Sequence, residues 1–136
     1  LCFPLYAAAR AVQQRYRPLL AELGLTYPQY LVMMVLWEED GQSVSALGAR
    51  LMLDSGTLTP LLKRLAAAGI LERRRSAEDG RVVRAHLTDA GRALRVRAEA
   101  VPLALVSCLA PAAQDIDIPH LKRSLDELLR VLQEAP

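Results

Sequence analysis

Between Ser43 and Gly91 the apolar periodicity passes from one helical pattern to another across a break and then to alternation, and that order leaves very few folds open. Val44, Leu47 and Leu51 mark a short helix. Leu53-Asp54-Ser55-Gly56 marks a break, and Thr57 to Leu65 carries a second helix to a stop at Gly69, with Ser55 placed to cap its start. Ile70 to Arg75 then reads as a strand, Ser76 to Gly80 as a turn and Arg81 to Leu87 as a second strand. The Asp79-Gly80 pair favours a hairpin because glycine takes positive φ at no steric cost. Thr88-Asp89-Ala90-Gly91 opens a further helix with Thr88 as its N-cap. Helix, tight turn, helix and basic hairpin in that order form a winged helix-turn-helix, so the expected class is mostly α with a small β-hairpin wing.

Charge is concentrated on the same segment. Ser55 to Arg97 holds ten Lys and Arg against four acids, a balance of +6, whereas the remaining seven basic and eleven acidic residues give −4. The modest +2 of the whole chain therefore conceals a basic face on an acidic body. Lys and Arg displace condensed counterions from phosphates, so this asymmetry, joined to the order of elements, points to double-stranded DNA. Ser55, Thr57, Thr59, Lys63 and Arg64 on the second helix are the candidates for major-groove and phosphate contacts. Arg81 is the candidate for insertion into the minor groove, with Asp79 orienting it or a neighbouring arginine rather than meeting the anionic duplex.

Other classes find little support. The 136 residues suffice for one core, and 52% hydrophobic with 24% charged is ordinary for a folded domain. The longest apolar runs, Tyr30 to Trp37 and Val101 to Val106, fall far short of the ~20 residues of a membrane span, and no signal-peptide pattern is present, which gives a cytoplasmic expectation. Two histidines and two cysteines, widely scattered, argue against a zinc site, and neither a phosphate loop nor a Ser/His/Asp set calls for a cofactor.

The flanks read as helices built for a partner. Leu5, Ala9, Val12, Tyr16, Leu19 and Leu23 recur at spacings of three and four, as do Leu121, Leu125, Leu128, Leu129 and Leu132. Residues 1–24 and 92–136 are accordingly expected to build a homodimer around a DNA-binding segment over 43–91, all within one domain. A two-fold dimer presents two recognition helices about 34 Å apart and reads a pseudo-palindromic operator. Pro111 to Pro119, with two aspartates, is expected to be a loop between helices.

Asp79-Gly80-Arg81 in the wing, and Leu87-Thr88-Asp89-Ala90-Gly91 after it, make the chain resemble the MarR family of transcription regulators. Cys2-Phe3-Pro4-Leu5-Tyr6, Tyr16-Arg17-Pro18-Leu19-Leu20 and Leu25-Thr26-Tyr27-Pro28-Gln29-Tyr30 resemble its organic-hydroperoxide-sensing branch, the OhrR type. The resemblance covers nearly the whole chain and is poorest around Cys108 to Pro119. It implies a dimeric repressor that holds its operator when reduced and leaves it when organic hydroperoxide oxidises a cysteine. By the resemblance that cysteine is Cys2, and Tyr16 and Tyr27 contact the reactive sulfur. In two-cysteine members a distant residue, here Cys108, resolves the sulfenic acid as an intersubunit disulfide; one-cysteine members use a small thiol instead.

Only a thiolate attacks peroxide at a useful rate, and an ordinary cysteine is mostly protonated at neutral pH, so the anion needs support. Pro4 places a helix start beside Cys2, and tyrosine hydroxyls can donate hydrogen bonds to a thiolate. Taken alone, Tyr16 and Tyr27 read better as amphipathic core residues and Cys2 as a small buried hydrophobe; for Cys108, near the end of a long helix from Thr88, an inert buried thiol among Leu105, Val106 and Leu109 is the lesser alternative. Two alternatives remain beside the peroxide-sensing repressor. One is a MarR-type repressor sensing an aromatic ligand or another oxidant such as hypochlorite; the other, an enzyme, is a thiol peroxidase using Cys2 and Cys108.

Overall fold

The computed structural model describes residues 1–111 and 113–135. The elements run α1 (Cys2–Ala21), α2 (Tyr27–Glu38), β1 (Gln42–Ser43), α3 (Val44–Leu51), α4 (Ser55–Ala67), β2 (Leu71–Arg75), β3 (Val83–Leu87), α5 (Asp89–Ala98), α6 (Ala100–Leu109) and α7 (Ile118–Glu134). They fall into two compact units, Leu1–Leu105 and the residues from Val106 onward. The first carries the winged helix.

Helix α2 is the centre of that unit because it is apolar on nearly every side: Tyr30, Val32, Met33, Val35 and Leu36 are all buried. A capping box starts it, with the Thr26 hydroxyl accepting from the Gln29 amide and the Gln29 side chain accepting from the Thr26 amide. Helix α4 lays Leu58, Leu61, Leu62 and Leu65 on the same core, each burial being worth roughly 1.5–3 kcal/mol. Asp54 caps α4 by accepting from the Thr57 amide at 2.7 Å, so the expected cap, Ser55, is instead the first helical residue. A carboxylate meets the partial positive charge of a helix start better than a hydroxyl does. The turn between α3 and α4 closes on Met52, which holds φ 55° in the left-handed region.

Pro60 lies in the interior of α4 on its exposed side. It has no N–H for the Gly56 carbonyl one turn back, and its ring crowds that oxygen; such a residue costs a helix about 3 kcal/mol relative to alanine. The helix nevertheless runs on to Ala67. There Gly69, at φ 75°, reverses the chain while the Ile70 amide donates to the Leu65 carbonyl, as the stop at Gly69 requires.

The wing differs from expectation in two ways. Gln42 and Ser43 pair with Ala85 and Arg84, so the sheet has three antiparallel strands in the order β1-β3-β2; two residues are too few to leave a periodicity. The strands β2 and β3 are in register from Leu71 against Leu87 to Arg75 against Val83, so β2 reaches the tip at Arg75 as expected while β3 begins two residues later than expected. Gly80 is not among the positive-φ glycines, and the tip is a longer loop closed by Ser76 N–H to the Val82 carbonyl at 2.7 Å. Arg81 therefore belongs to the loop rather than to a strand.

Thr88 caps α5, accepting from the Gly91 amide, and its hydroxyl lies 2.7 Å from the Gly69 carbonyl and 2.9 Å from that of Ile70. Gly91 packs so closely on the Ile70 carbonyl that a Cβ there would overlap it, and its own carbonyl accepts from the Trp37 indole at 2.9 Å. The expected long helix from Thr88 is broken at Glu99 into α5 and α6. Pro102 accounts for this, because it cannot donate to the Ala98 carbonyl.

Candidate functional site

The basic residues divide into two groups once their partners are known. Arg92 reaches Asp40, Arg95 donates to the Trp37 carbonyl and Arg97 to the Glu22 carbonyl, so three cations of α5 tie that helix to α1 and α2. Arg84 donates to the Gly41 carbonyl, Arg74 pairs with Glu72, and Arg75 braces the wing tip through the Gly80 carbonyl at 2.8 Å. The side chains of Lys63, Arg64, Arg73 and Arg81 make no hydrogen bond or ion pair among the described residues, and all four are exposed. Two of these stand on α4 and two on the wing, so the sheet and the helix offer one set of uncommitted cations. Arg73 was missed by sequence reasoning because an Arg-Arg-Arg run does not reveal which of its members finds an internal partner.

Asp79 acts through the backbone: its carboxylate accepts from the Arg81 amide at 3.0 Å and fixes the course of the chain at the tip. Ser55, Thr57, Lys63 and Arg64 are exposed on α4 and Thr59 is half-buried; Lys63 lies opposite the four buried leucines and the other four toward the borders of that outer face. The helix thus offers polar side chains on its outer face, around the exposed Gly56 and Pro60, while its apolar face is held in the core. The seat of the wing is also polar: Asp40 accepts from the Leu87 and Gly41 amides, both at 2.8 Å, and from Arg92.

Cys2 is the first residue of α1 and is exposed, and Cys108, on α6, is exposed as well. Neither thiol is buried. Tyr16 and Tyr27 stand together, with ring centroids 5.3 Å apart, and Tyr16 also lies 5.9 Å from the buried Tyr30. Burial pushes the phenols of Tyr16, Tyr27 and Tyr30 above the ordinary value of 10.0, with charge repulsion adding to it for Tyr16 and Tyr30. They stay protonated at neutral pH and so remain donors. The hydroxyls of Tyr16 and Tyr27 have no partner among the described residues.

Cys2 and Tyr16 of the same chain cannot meet here. Fourteen residues of continuous helix separate Cys2 from Tyr16, which at 1.5 Å per residue is about 21 Å. What lies beside Tyr27 is an open cleft of about 390 Å³ lined by Arg10, Gln13, Gln14, Arg17, Leu25 and Thr26 among others. Its two arginines favour an anion arriving from outside the chain.

The terminal helices are poorly covered. Only Leu20 of α1 is buried, while Phe3 is 77% exposed, and Leu5, Tyr6 and Val12 are exposed too. No residue of α7 is buried, and its Leu121, Leu125, Leu129 and Leu132 form an uncovered stripe at the spacing read from the sequence. No helix among the described residues is long and apolar enough to cross a membrane.

Residues 14–96 match the family model of the transcriptional regulator SarA/Rot, more than half of the chain. The chain belongs to that family of MarR-type winged-helix regulators. It is 42% identical to the organic hydroperoxide resistance transcriptional regulator of Bacillus subtilis over 98% of this chain and 90% of the relative. It is 58% identical to the HTH-type transcriptional regulator TtmR of Methylorubrum extorquens over 75% of this chain, a span that is only 52% of that relative's length. Among solved structures it is similar to reduced AbfR bound to DNA, with a TM-score of 0.79 and 38% identity over 99% of this chain and 93% of that one. Overoxidised AbfR bound to DNA gives 0.79 at 39% identity, and disulfide-formed AbfR 0.71 at 39%. These relatives are transcriptional regulators, so the SarA/Rot-family chain is a regulator and not the thiol peroxidase considered above.

Proposed function

We propose that this regulator is a homodimeric repressor that holds a pseudo-palindromic operator when reduced and lets go when organic hydroperoxide oxidises Cys2. The observation that carries the reading is the placement of an exposed thiol at one end of α1 and a pair of neutral, unengaged tyrosine hydroxyls near the other. Because α1 keeps a subunit's own Cys2 about 21 Å from its own Tyr16, the support for the thiolate is supplied by the second subunit. Its cleft beside Tyr27, with Arg10 and Arg17, receives the sulfur. The uncovered stripes on α1 and α7 are the surfaces that bring the two chains together, so residues 1–24 and 92–136 serve dimerisation and 43–91 serve DNA.

The chemistry is a two-electron displacement. The Cys2 thiolate attacks the outer peroxide oxygen, the O–O bond breaks, the alkoxide leaves and takes a proton as the alcohol, and Cys2 becomes a sulfenic acid. Cys108 of the partner then attacks that sulfur, water leaves, and an intersubunit disulfide forms. Closing the bond brings Cα atoms within about 7 Å, which draws helices together and spreads the two reading heads. AbfR, solved overoxidised on DNA and separately with its disulfide formed, supports the view that the disulfide rather than oxidation alone drives release. Ser55, Thr57, Thr59, Lys63 and Arg64 take the major groove and its phosphates. Arg81, set by Asp79, takes the minor groove.

A second reading has one observation in its favour. The cleft lined by Arg10, Arg17 and Tyr27 suits an aromatic acid, which would make the regulator ligand-sensing. A gel shift with duplex from the upstream region of its own gene, run reduced, with cumene hydroperoxide and with salicylate, separates the two. Release by the peroxide, lost in Cys2→Ser and accompanied by a covalent dimer on non-reducing gels, supports the redox reading. Release by salicylate with the thiols still reduced overturns it.

A further inference from the structure

The centre of the reading surface of α4 contains two residues that helices disfavour. At 3.6 residues per turn, Gly56, Pro60 and Lys63 lie within about 60° of one another around the helix. That stripe is opposite the buried Leu58, Leu61, Leu62 and Leu65. Thr57 and Arg64 flank it on one side and Ser55 and Thr59 on the other, so the polar residues read from the sequence form the borders of the face. Its middle is a glycine and a proline.

Pro60 has no packing reason to be there, whereas a Cβ on Gly56 would lie 3.3 Å from the Asp54 carboxylate that caps the helix. Pro60 is exposed, so its ring fills no core, and α4 continues through it for seven further residues, so it does not end the helix. It removes the hydrogen bond to the Gly56 carbonyl and weakens α4. Gly56 lets the stripe approach a surface closely, since it presents no side chain. A residue that breaks a local rule without a packing gain marks a functional position.

The chemistry of the ring specifies what it can recognise. Pyrrolidine carries neither donor nor acceptor, and the one apolar group on base edges in the major groove is the C5-methyl of thymine. We propose that Pro60 is a specificity-determining residue that reads a thymine methyl in each operator half-site, at the point nearest the helix axis where no hydrogen bond is made. This rests on the DNA-binding reading above and adds to it the base that the middle of α4 selects.

The test uses the full chain, reduced, and a duplex that it selects from a random library. Each thymine of the half-site is replaced in turn by uracil, which pairs identically and lacks only the methyl. For the wild type one position should lower affinity about fourfold in one half-site and about fifteenfold in both, the worth of one and two buried methyl groups. Pro60→Gly removes the ring and restores the N–H; it should fold at least as stably, bind the selected duplex less tightly and be indifferent to uracil at that position. Methyl sensitivity retained in Pro60→Gly, or no methyl-sensitive thymine for the wild type, overturns the role of Pro60 while leaving a DNA-binding regulator. Failure of the reduced protein to enrich any duplex overturns the underlying reading, and the role of Pro60 with it.

Discussion

Arg81→Ala should change how DNA binding depends on salt while leaving the fold untouched, because the Arg81 side chain engages nothing within the described residues. The bond from its backbone amide to Asp79 survives the substitution, so the loop keeps its course. Each phosphate neutralised on duplex DNA contributes about 0.9 to the slope of log K against log salt. One contact per subunit in a dimer gives a slope smaller by about 1.8. Between 50 and 200 mM salt, a fourfold change, that difference amounts to roughly twelvefold in relative affinity. Fluorescence anisotropy with a labelled operator at four salt concentrations measures it, and denaturant unfolding of the same protein should give an unchanged midpoint. Arg97→Ala is the matched control. It removes an equal charge, but one that donates to the Glu22 carbonyl at 2.8 Å, so it should lower the unfolding midpoint and leave the salt slope alone. If Arg81→Ala and Arg97→Ala shift the slope equally, only net charge matters and the assignment of Arg81 to the duplex is refuted.

Cys2→Ser should fold and bind operator as the wild type does yet stay bound in organic hydroperoxide; release of this variant on a gel shift would remove Cys2 from the mechanism. Tyr16→Phe and Tyr27→Phe each delete one hydroxyl and keep the ring, so stopped-flow oxidation of Cys2 should slow in both, and unchanged rates would return the pair to a packing role. Alkaline pH gives a check on the burial of Tyr16, Tyr27 and Tyr30. Their folded values lie above the ordinary 10.0, so the stability they contribute is complete below that pH and is lost as pH rises through the raised values, which ultraviolet titration of native against unfolded protein should resolve. Gly91→Ala should be strongly destabilising, by about 3 kcal/mol or more, since its Cβ would overlap the Ile70 carbonyl and displace the carbonyl that Trp37 bonds. A circular-dichroism melt within a few degrees of wild type would show that the junction yields.

The order of elements from Val44 to Gly91, the stop at Gly69, the Thr88 cap and the apolar stripes of α1 and α7 were legible in the sequence. Each is written in residues close together along the chain. Periodicity, capping and turn chemistry act over a few residues, so a linear reading has access to their causes. The boundary errors have the same origin: Asp54 outcompetes Ser55 as a cap by charge, and Pro102 breaks the helix after Thr88 through a carbonyl four residues back. The choice among the basic residues was not legible. Ten cations look alike in sequence, and only the packing of α5 on α2, which brings Arg92, Arg95 and Arg97 to Asp40, Trp37 and Glu22 over separations of 52, 58 and 75 residues, shows which are spent on the fold. The Tyr16–Tyr27 pairing follows likewise from the crossing of α1 and α2, and its separation from Cys2 from the length of an unbroken helix. Hydrogen bonds and ring contacts between distant residues depend on how faces meet, and no local pattern encodes that meeting.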